Sequence, residues 1–356
     1  MKPSDFQKTV QCRFESCLKK VVRHVVKDYQ KKLKRRQKEE TLFCELPEIV
    51  VENLAVWDDY DTNYTIFNVC GSDIRICDDE LAEALKHLSE RNRENLLMYY
   101  FLEMSDTEIA KRQNISRSGV FQNRHNSLEL MKKILLTAIN AKYIHSNLAV
   151  YSLKAYAEEV LGEKCPRIEI AEYTINQQMD EILMDIYKRK PDVLCLSCYI
   201  WNIRYVEDVV KETAKILPDT VIWLGGPEVS YDAPDVLKRL PQAAGVMKGE
   251  GEETFAALVS DSELDSMEGI TWRAGDGRII ENPWRDVMDL NRVPFIYRDM
   301  ERFENKIVYY ESSRGCPFSC SYCLSSVDKK LRFRNLELVK QELQFFIEKE
   351  VPQVKF

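Results

Sequence analysis

Cys316, Cys320 and Cys323 stand in the run Glu311-Ser-Ser-Arg-Gly-Cys316-Pro-Phe-Ser-Cys320-Ser-Tyr-Cys323 of this 356-residue chain. Three thiolates spaced Cys-x-x-x-Cys-x-x-Cys can each bind one iron of a single cubane, which leaves a fourth iron without a protein ligand. Zinc competes for closely spaced cysteines, but it ordinarily takes four protein ligands, and no fourth Cys or His lies nearby. Eleven cysteines are many for a chain without a secretory signal, and a tight group among them points to metal rather than to disulfides. Cys12, Cys17, Cys44, Cys70, Cys77 and Cys165 are scattered and read as packing residues. Cys195-Leu-Ser-Cys198 has the spacing of a metal or redox pair, but it lies on or at the end of an apolar strand. Its two thiols then point to different faces, so both belong in the core.

The triad needs a scaffold. A strand is expected over 306–310, directly before it, with a helix over 336–349 and the start of a second strand over 351–356. Ahead of these, 271–304 reads as a connector, with a turn at Gly275-Asp276-Gly277. Between 131 and 270 short apolar, β-branched strands alternate with helices. Strands are predicted over 134–137, 167–170, 193–197, 221–224 and 245–248, and helices over 147–161, 178–188, 203–217, 234–240 and 253–259. Such alternation implies a doubly wound, Rossmann-like α/β fold with a parallel sheet covered on both faces. Ligands of that fold sit at the C-terminal strand ends. The loops there are Asn140 to Asn147, Ser197-Cys-Tyr-Ile-Trp-Asn202, Gly225-Gly226-Pro227-Glu228 and Gly249-Glu250-Gly251-Glu252, and their glycines let backbone approach a large ligand closely.

The first third differs. Residues 79–133 read as a string of helices. Ser105-Asp-Thr-Glu108 is a capping box opening a short helix over 106–112, and Ser116 caps a second helix after a brief turn. A short helix, a turn and a helix beginning with small and polar residues is the layout of a helix-turn-helix. Arg117, Ser118, Gln122, Asn123 and Arg124 are its candidate DNA contacts, with His125 a surface or phosphate contact. Lys31, Lys32, Lys34, Arg35, Arg36 and Lys38 form a basic run, followed by acidic Asp58, Asp59, Asp61, Asp78, Asp79 and Glu80, against a net charge of −7. A nucleic-acid contact and a solvated helix face both account for that run. No stretch reaches the ~20 apolar residues of a membrane span, and the N-terminus has no secretory h-region. A cytoplasmic protein without membrane partners is expected.

Two resemblances follow. Residues 1 to 133, through SDTEIAKRQNISRSGVFQNRHNSLELM, resemble region 4 of sigma-70-like factors, which implies DNA and RNA polymerase as partners. Residues from about 131 onward resemble cobalamin (B12)-binding radical S-adenosylmethionine (SAM) proteins, through the GGP and GEGE loops and the cysteine triad. This implies cobalamin held near Ser197, Gly225, Gly226, Gly249, Glu250 and Gly251. It also implies a [4Fe–4S] cluster on Cys316, Cys320 and Cys323, with SAM on the open iron and Tyr322 near the adenine. One-electron cleavage of SAM would yield a 5′-deoxyadenosyl radical. The Asp-x-His-x-x-Gly motif of cobalt-ligating domains is absent. Only His145 of Tyr143-Ile-His145-Ser-Asn-Leu148 fits it, so a polar loop histidine is the main reading and a cobalt ligand the minor one. The expected organisation is multidomain. An all-α helix-turn-helix domain over 1–130 precedes the α/β domain over 131–270, the connector over 271–304, and the start of a partial (β/α) barrel over 305–356. A related full barrel takes roughly 200 residues, so the barrel reads as truncated and the chain as a fusion at Met131. The alternatives are a sigma-like DNA-binding regulator and an inactive fusion fragment.

Overall fold

The computed structural model describes residues 26–28, 30, 31, 34, 64–260, 262–321, 323, 324 and 330–356. Most of the basic run (Lys32, Arg35, Arg36 and Lys38), acidic Asp58, Asp59 and Asp61, and Tyr322 lie outside the described residues.

Tyr64–Phe356 is one compact unit. It opens on an antiparallel hairpin, β1 (Thr65–Val69) and β2 (Ser72–Ile76). Cys70 and Gly71 make its two-residue turn with φ of 58° and 81°, the positive values that match the twist of the flanking strands. The part of the helical domain described here is therefore not all-α. Its residues alternate in and out, with Val69, Ile74 and Ile76 buried and Ile66, Asn68, Asp73 and Arg75 exposed.

Four helices follow: α1 (Asp79–His87), α2 (Glu90–Tyr100), α3 (Asp106–Gln113) and α4 (Arg117–Met131). Ser105 and Glu108 close the expected capping box on α3. Asn114, at φ 52°, ends that helix in the left-handed conformation that a short polar side chain tolerates. Ser116 Oγ accepts from Gly119 N at 3.0 Å and starts α4. Leu85, Leu97, Ile109 and Val120 meet in a core belonging to this module.

One residue, Lys132, separates α4 from β3 (Lys133–Asn140). The α/β part continues through α5 (Leu148–Leu161), β4 (Arg167–Thr174), α6 (Met179–Arg189), β5 (Val193–Ser197) and α7 (Ile203–Ile216). It proceeds through β6 (Val221–Gly225), α8 (Pro227–Ser230), α9 (Ala233–Arg239), β7 (Gly245–Met247) and α10 (Glu252–Val259). The sheet order is β4-β3-β5-β6-β7-β8-β9. Its first five strands are parallel, and β8 (Ile270–Arg273) and β9 (Ile279–Glu281) join antiparallel. The expected connector thus begins inside the sheet, because Gly275-Asp276-Gly277 turns one sheet strand into the next. From Ile134 to Asn140, β3 is buried throughout. Leu135 and Ile139 pack with α6, α7 and α9, while Ile134, Leu136 and Ala138 pack with α5 and α10. Period-two alternation on a doubly covered strand does this. Cys195 and Cys198 fall in these two different cores. Burial pushes both thiols up to about 12, so neither is poised for redox or metal chemistry.

The last segment holds β10 (Val308–Tyr309), β11 (Ser313–Arg314), β12 (Arg332–Phe333), α11 (Leu336–Glu348) and β13 (Val354–Lys355). β10 and β13 pair in parallel, with α11 between them in sequence. This is the strand-helix-strand order expected there, and it is what the described residues contain of the anticipated barrel. No helix among the described residues is long and apolar enough to cross a membrane.

Candidate functional site: a cavity at the sheet's C-terminal edge

In the order β4-β3-β5-β6-β7 the chain leaves β3 to one side and β5 to the other. Their diverging C-terminal loops open a cleft, the usual ligand position in doubly wound sheets. A cavity of about 1210 Å³ lies there, larger than the few hundred cubic ångströms of most small-molecule sites. Ser197, Gly225, Gly226, Gly249, Glu250 and Gly251 all line it, so the structure brings together the six residues expected around cobalamin. Ser197 Oγ accepts from Asn147 Nδ2 at 3.0 Å. Asn147 Oδ1 is buried without a hydrogen-bond partner. Gly226 has φ 110°, and a Cβ there would stand 2.5 Å from the Cys198 carbonyl oxygen. Only glycine lets β6 turn so close to the β5 loop.

Aromatic walls escaped the sequence reading. Tyr199 and Trp201 stack at 4.4 Å, Tyr231 and Trp284 meet at 5.4 Å, and all four line the cavity. Trp201 was visible in its loop. Trp284 was hidden by its place in the supposed connector, far in sequence from the other lining residues. Lys248, whose side chain is fully buried, donates to the Asn282 carbonyl at 2.8 Å and lies 4.9 Å from the Trp284 ring, fixing that wall. His145 lines the cavity, and its Nδ1 lies 2.6 Å from Tyr309 Oη.

Gly315 and Leu324, neighbours of Cys316 and Cys323, line the same cavity. The cysteine-bearing segment therefore stands at its rim. Cys316 and Cys323 are partly exposed and Cys320 is exposed. Among the described residues, no three His, Cys, Asp or Glu side chains converge as a preformed metal site. The fit of an iron–sulfur cluster therefore rests on the chemistry of the three thiols and on their spacing.

In the helical module Arg117, Ser118 and Gln122 are exposed along the first half of α4, and Asn123 is partly so. Arg124 is not available to bases. It is 8% exposed, it pairs with Asp106, and its guanidinium lies 3.7 Å from the centre of the Tyr99 ring. The hydrogen bond from Arg124 to Asp106 holds its pKa above the ordinary value although burial opposes this. Its position seven residues into α4 turns it toward α2 and α3 rather than outward.

Comparison with known proteins agrees with this geometry. Residues 134–259 match the B12 binding domain, and residues 78–131 match Sigma-70, region 4. The chain is 30% identical to 2-(S-pantetheinyl)-carbapenam-3-carboxylate methyltransferase of Streptantibioticus cattleyicolor over 182 residues, 45% of this chain and 26% of that protein. It is 28% identical to the cobalamin-dependent radical SAM methyltransferase TokK of Streptomyces tokunonensis over 179 residues, 46% and 26% of the two chains. The anaerobic magnesium-protoporphyrin IX monomethyl ester cyclase of Rubrivivax gelatinosus is 26% identical over 187 residues, 47% and 33% of the two. The matches thus span a third or less of these relatives' length. In fold, the chain is similar to the cobalamin-dependent SAM radical enzyme OxsB with aqua-cobalamin and SAM bound. That likeness has a TM-score of 0.51 at 19% identity and covers 65% of this chain and 33% of that one.

Proposed function

We propose that residues 131–356 bind cobalamin in the cavity and a [4Fe–4S] cluster on Cys316, Cys320 and Cys323, as a protein of the B12-dependent radical SAM class. The observation that carries this reading is the shared cavity, lined both by the glycine loops of the sheet and by the residues flanking the cysteines. SAM would take the cluster's open iron, with Tyr322 beside the adenine. When bound, the cluster supplies the electron that cleaves SAM, and cobalamin supplies a carrier for a methyl group. The chain's own residues have simpler tasks. Gly226 and Gly249 admit a broad ligand close to backbone, and Trp201 and Trp284 keep water from its faces. Ser197 and the unpartnered Asn147 Oδ1 offer polar contacts to its rim. Two of the relatives named above are methyltransferases, and methyl transfer is the reaction class we assign.

Anaerobic reconstitution with iron and sulfide tests the assignment. About four irons per chain are expected, falling sharply in Cys316→Ala, while hydroxocobalamin still binds that variant with its usual change in absorbance. Folded protein that takes up neither group would sink the reading.

A second activity is supported by the exposed start of α4. Arg117, Ser118, Gln122 and Asn123 would contact duplex DNA, with RNA polymerase as the further partner. Binding to a promoter-like duplex should weaken steeply with salt, as phosphate neutralisation requires. A salt-independent signal would argue against it. If iron and cobalamin both fail to bind, this regulator-like function is what remains.

A further inference from the structure

Arg314 and Arg332 face each other across the antiparallel pair β11–β12. Like charges opposite one another on strands repel, and these two are only 15% and 17% exposed. Glu311, on the same segment, accepts from Arg314 Nε at 2.8 Å, and the other counter-charges come from the loop after β7 and the first residue of α10. Glu252 Oε1 accepts from Arg314 Nη2 at 2.6 Å, and Glu250 Oε2 accepts from Arg332 Nη1 at 3.0 Å. Arg332 also donates to the Met288 carbonyl at 2.8 Å, and Glu250 accepts from Met288 N at 3.2 Å. Glu252 is held further by Ser152 Oγ at 2.8 Å. Burial alone would raise its pKa, but Arg314 outweighs that and keeps the carboxyl below the ordinary range. The arginines are the two feet of the segment that carries Cys316, Cys320 and Cys323. The carboxylates alternate with Gly249 and Gly251, whose loop lines the cavity.

We infer that Glu250 and Glu252 are positioning residues that couple the cavity to the cysteine segment. A ligand seated against their loop holds both carboxylates, and these hold Arg332 and Arg314, which fix the segment's two feet. The coupling rests on the proposed cobalamin and cluster sites, but the clamp itself is a property of the chain without them. Cobalamin and the cluster then stabilise each other, as linkage demands of any two coupled sites.

The full-length chain and its Glu252→Gln variant are reconstituted with iron and sulfide. The rate at which a chelator strips the iron is followed at zero and at saturating hydroxocobalamin, with occupancy read from absorbance. Cobalamin should slow iron loss from the unaltered chain about tenfold, within the usual range of coupling between sites, and the variant should lose this protection. Equal rates with and without cobalamin in the unaltered chain, or undiminished protection in the variant, would overturn the inference. Hydrogen exchange on the cluster-free, cobalamin-free chain keeps the clamp testable by itself. Peptides covering 309–316 and 330–336 should exchange several-fold faster in Arg314→Gln, while those of β3 to β6 do not change. Unchanged exchange at those feet would overturn the clamp whether or not iron is taken up. Failure to bind iron or cobalamin counts against the proposed function alone.

Discussion

Arg124 shows how far one side chain can depart from its motif. On a recognition helix, an arginine next to Gln122 and Asn123 invites a base contact, but the chain spends this one on Asp106 and the Tyr99 ring. Arg124→Ala leaves a partly buried carboxylate unpaired and removes a cation–π contact, so it should cost about 3 kcal/mol of module stability. Gln122→Ala, on the exposed face, should leave the melting temperature unchanged and lower duplex affinity by about 1–3 kcal/mol. Thermal melts paired with DNA titrations separate the two, and equal loss of stability in both variants would contradict the assignment. Glu172 is a second such residue. Its oxygens accept from Lys306 Nζ at 2.6 Å, Tyr151 Oη at 2.8 Å, Asn140 Nδ2 at 2.9 Å and Asn147 N at 2.8 Å. Burial works to raise its pKa, but these donors prevail and hold it below the ordinary 4.5. A depressed carboxylate pKa means stability that is complete above the unfolded value and is lost as pH falls through the folded one. Stability should therefore fall more steeply with acid below about pH 4.5 in the chain with Glu172 than in Glu172→Gln, whose acid profile is flatter. That variant should also be less stable at neutral pH, because Lys306 is left buried without its partner.

At the scale of elements, Gly315 decides whether the cysteine segment closes. It sits at φ 91°, and an added Cβ would lie 2.4 Å from the Lys330 carbonyl oxygen, across the foot of β11–β12. Gly277 has a similar φ of 85° in the β8–β9 turn but nothing within 4 Å. Gly277→Ala should cost about 1 kcal/mol for the backbone conformation alone and leave iron uptake intact. Gly315→Ala adds a collision with backbone, so iron per chain should fall well below that of the Gly277 variant. Equal iron content in the two would count against this account of the segment. The contrast also bears on what was readable in advance. The parallel strands were legible because Ile, Val and Leu recur in short runs bounded by glycine loops, and those loops located six cavity residues. The β1–β2 hairpin was missed although Cys70-Gly71 stands between two alternating strands. A cysteine in the turn and an exposed Ile66 blurred the signal. β8 and β9 were missed because only three or four residues of each join the sheet. Trp284, Arg332 and Lys306 reach the site or its supports through tertiary packing, which local spacing does not encode.

The whole described unit combines two modules with separate cores. Leu97, Ile109 and Val120 pack among α1 to α4 and the hairpin, while the sheet packs on its own two faces. The chain passes between them through Lys132 alone, and Lys133 Nζ lies 3.9 Å from Glu80 Oε1, whose side chain is 68% exposed. An ion pair that open is worth little, about 0–1 kcal/mol. The cavity lies at the C-terminal ends of the strands, whereas α4 enters β3 at its N-terminal end, so the cavity and the junction with α4 sit at opposite ends of the same strand. Ligand-controlled DNA binding would require an element with two arrangements that both sites bias, and a buried strand continuous with α4 offers one arrangement. Hydroxocobalamin at about 100 times its dissociation constant should therefore stabilise the α/β core by about 2.7 kcal/mol while leaving duplex affinity within about twofold, because uncoupled sites carry no linkage energy. DNA titrations at fixed salt, with and without hydroxocobalamin, measure this directly. A shift of tenfold or more would mean that occupancy of the cavity is transmitted along β3, and would recast the α/β part as the sensor of a regulator rather than as the seat of chemistry.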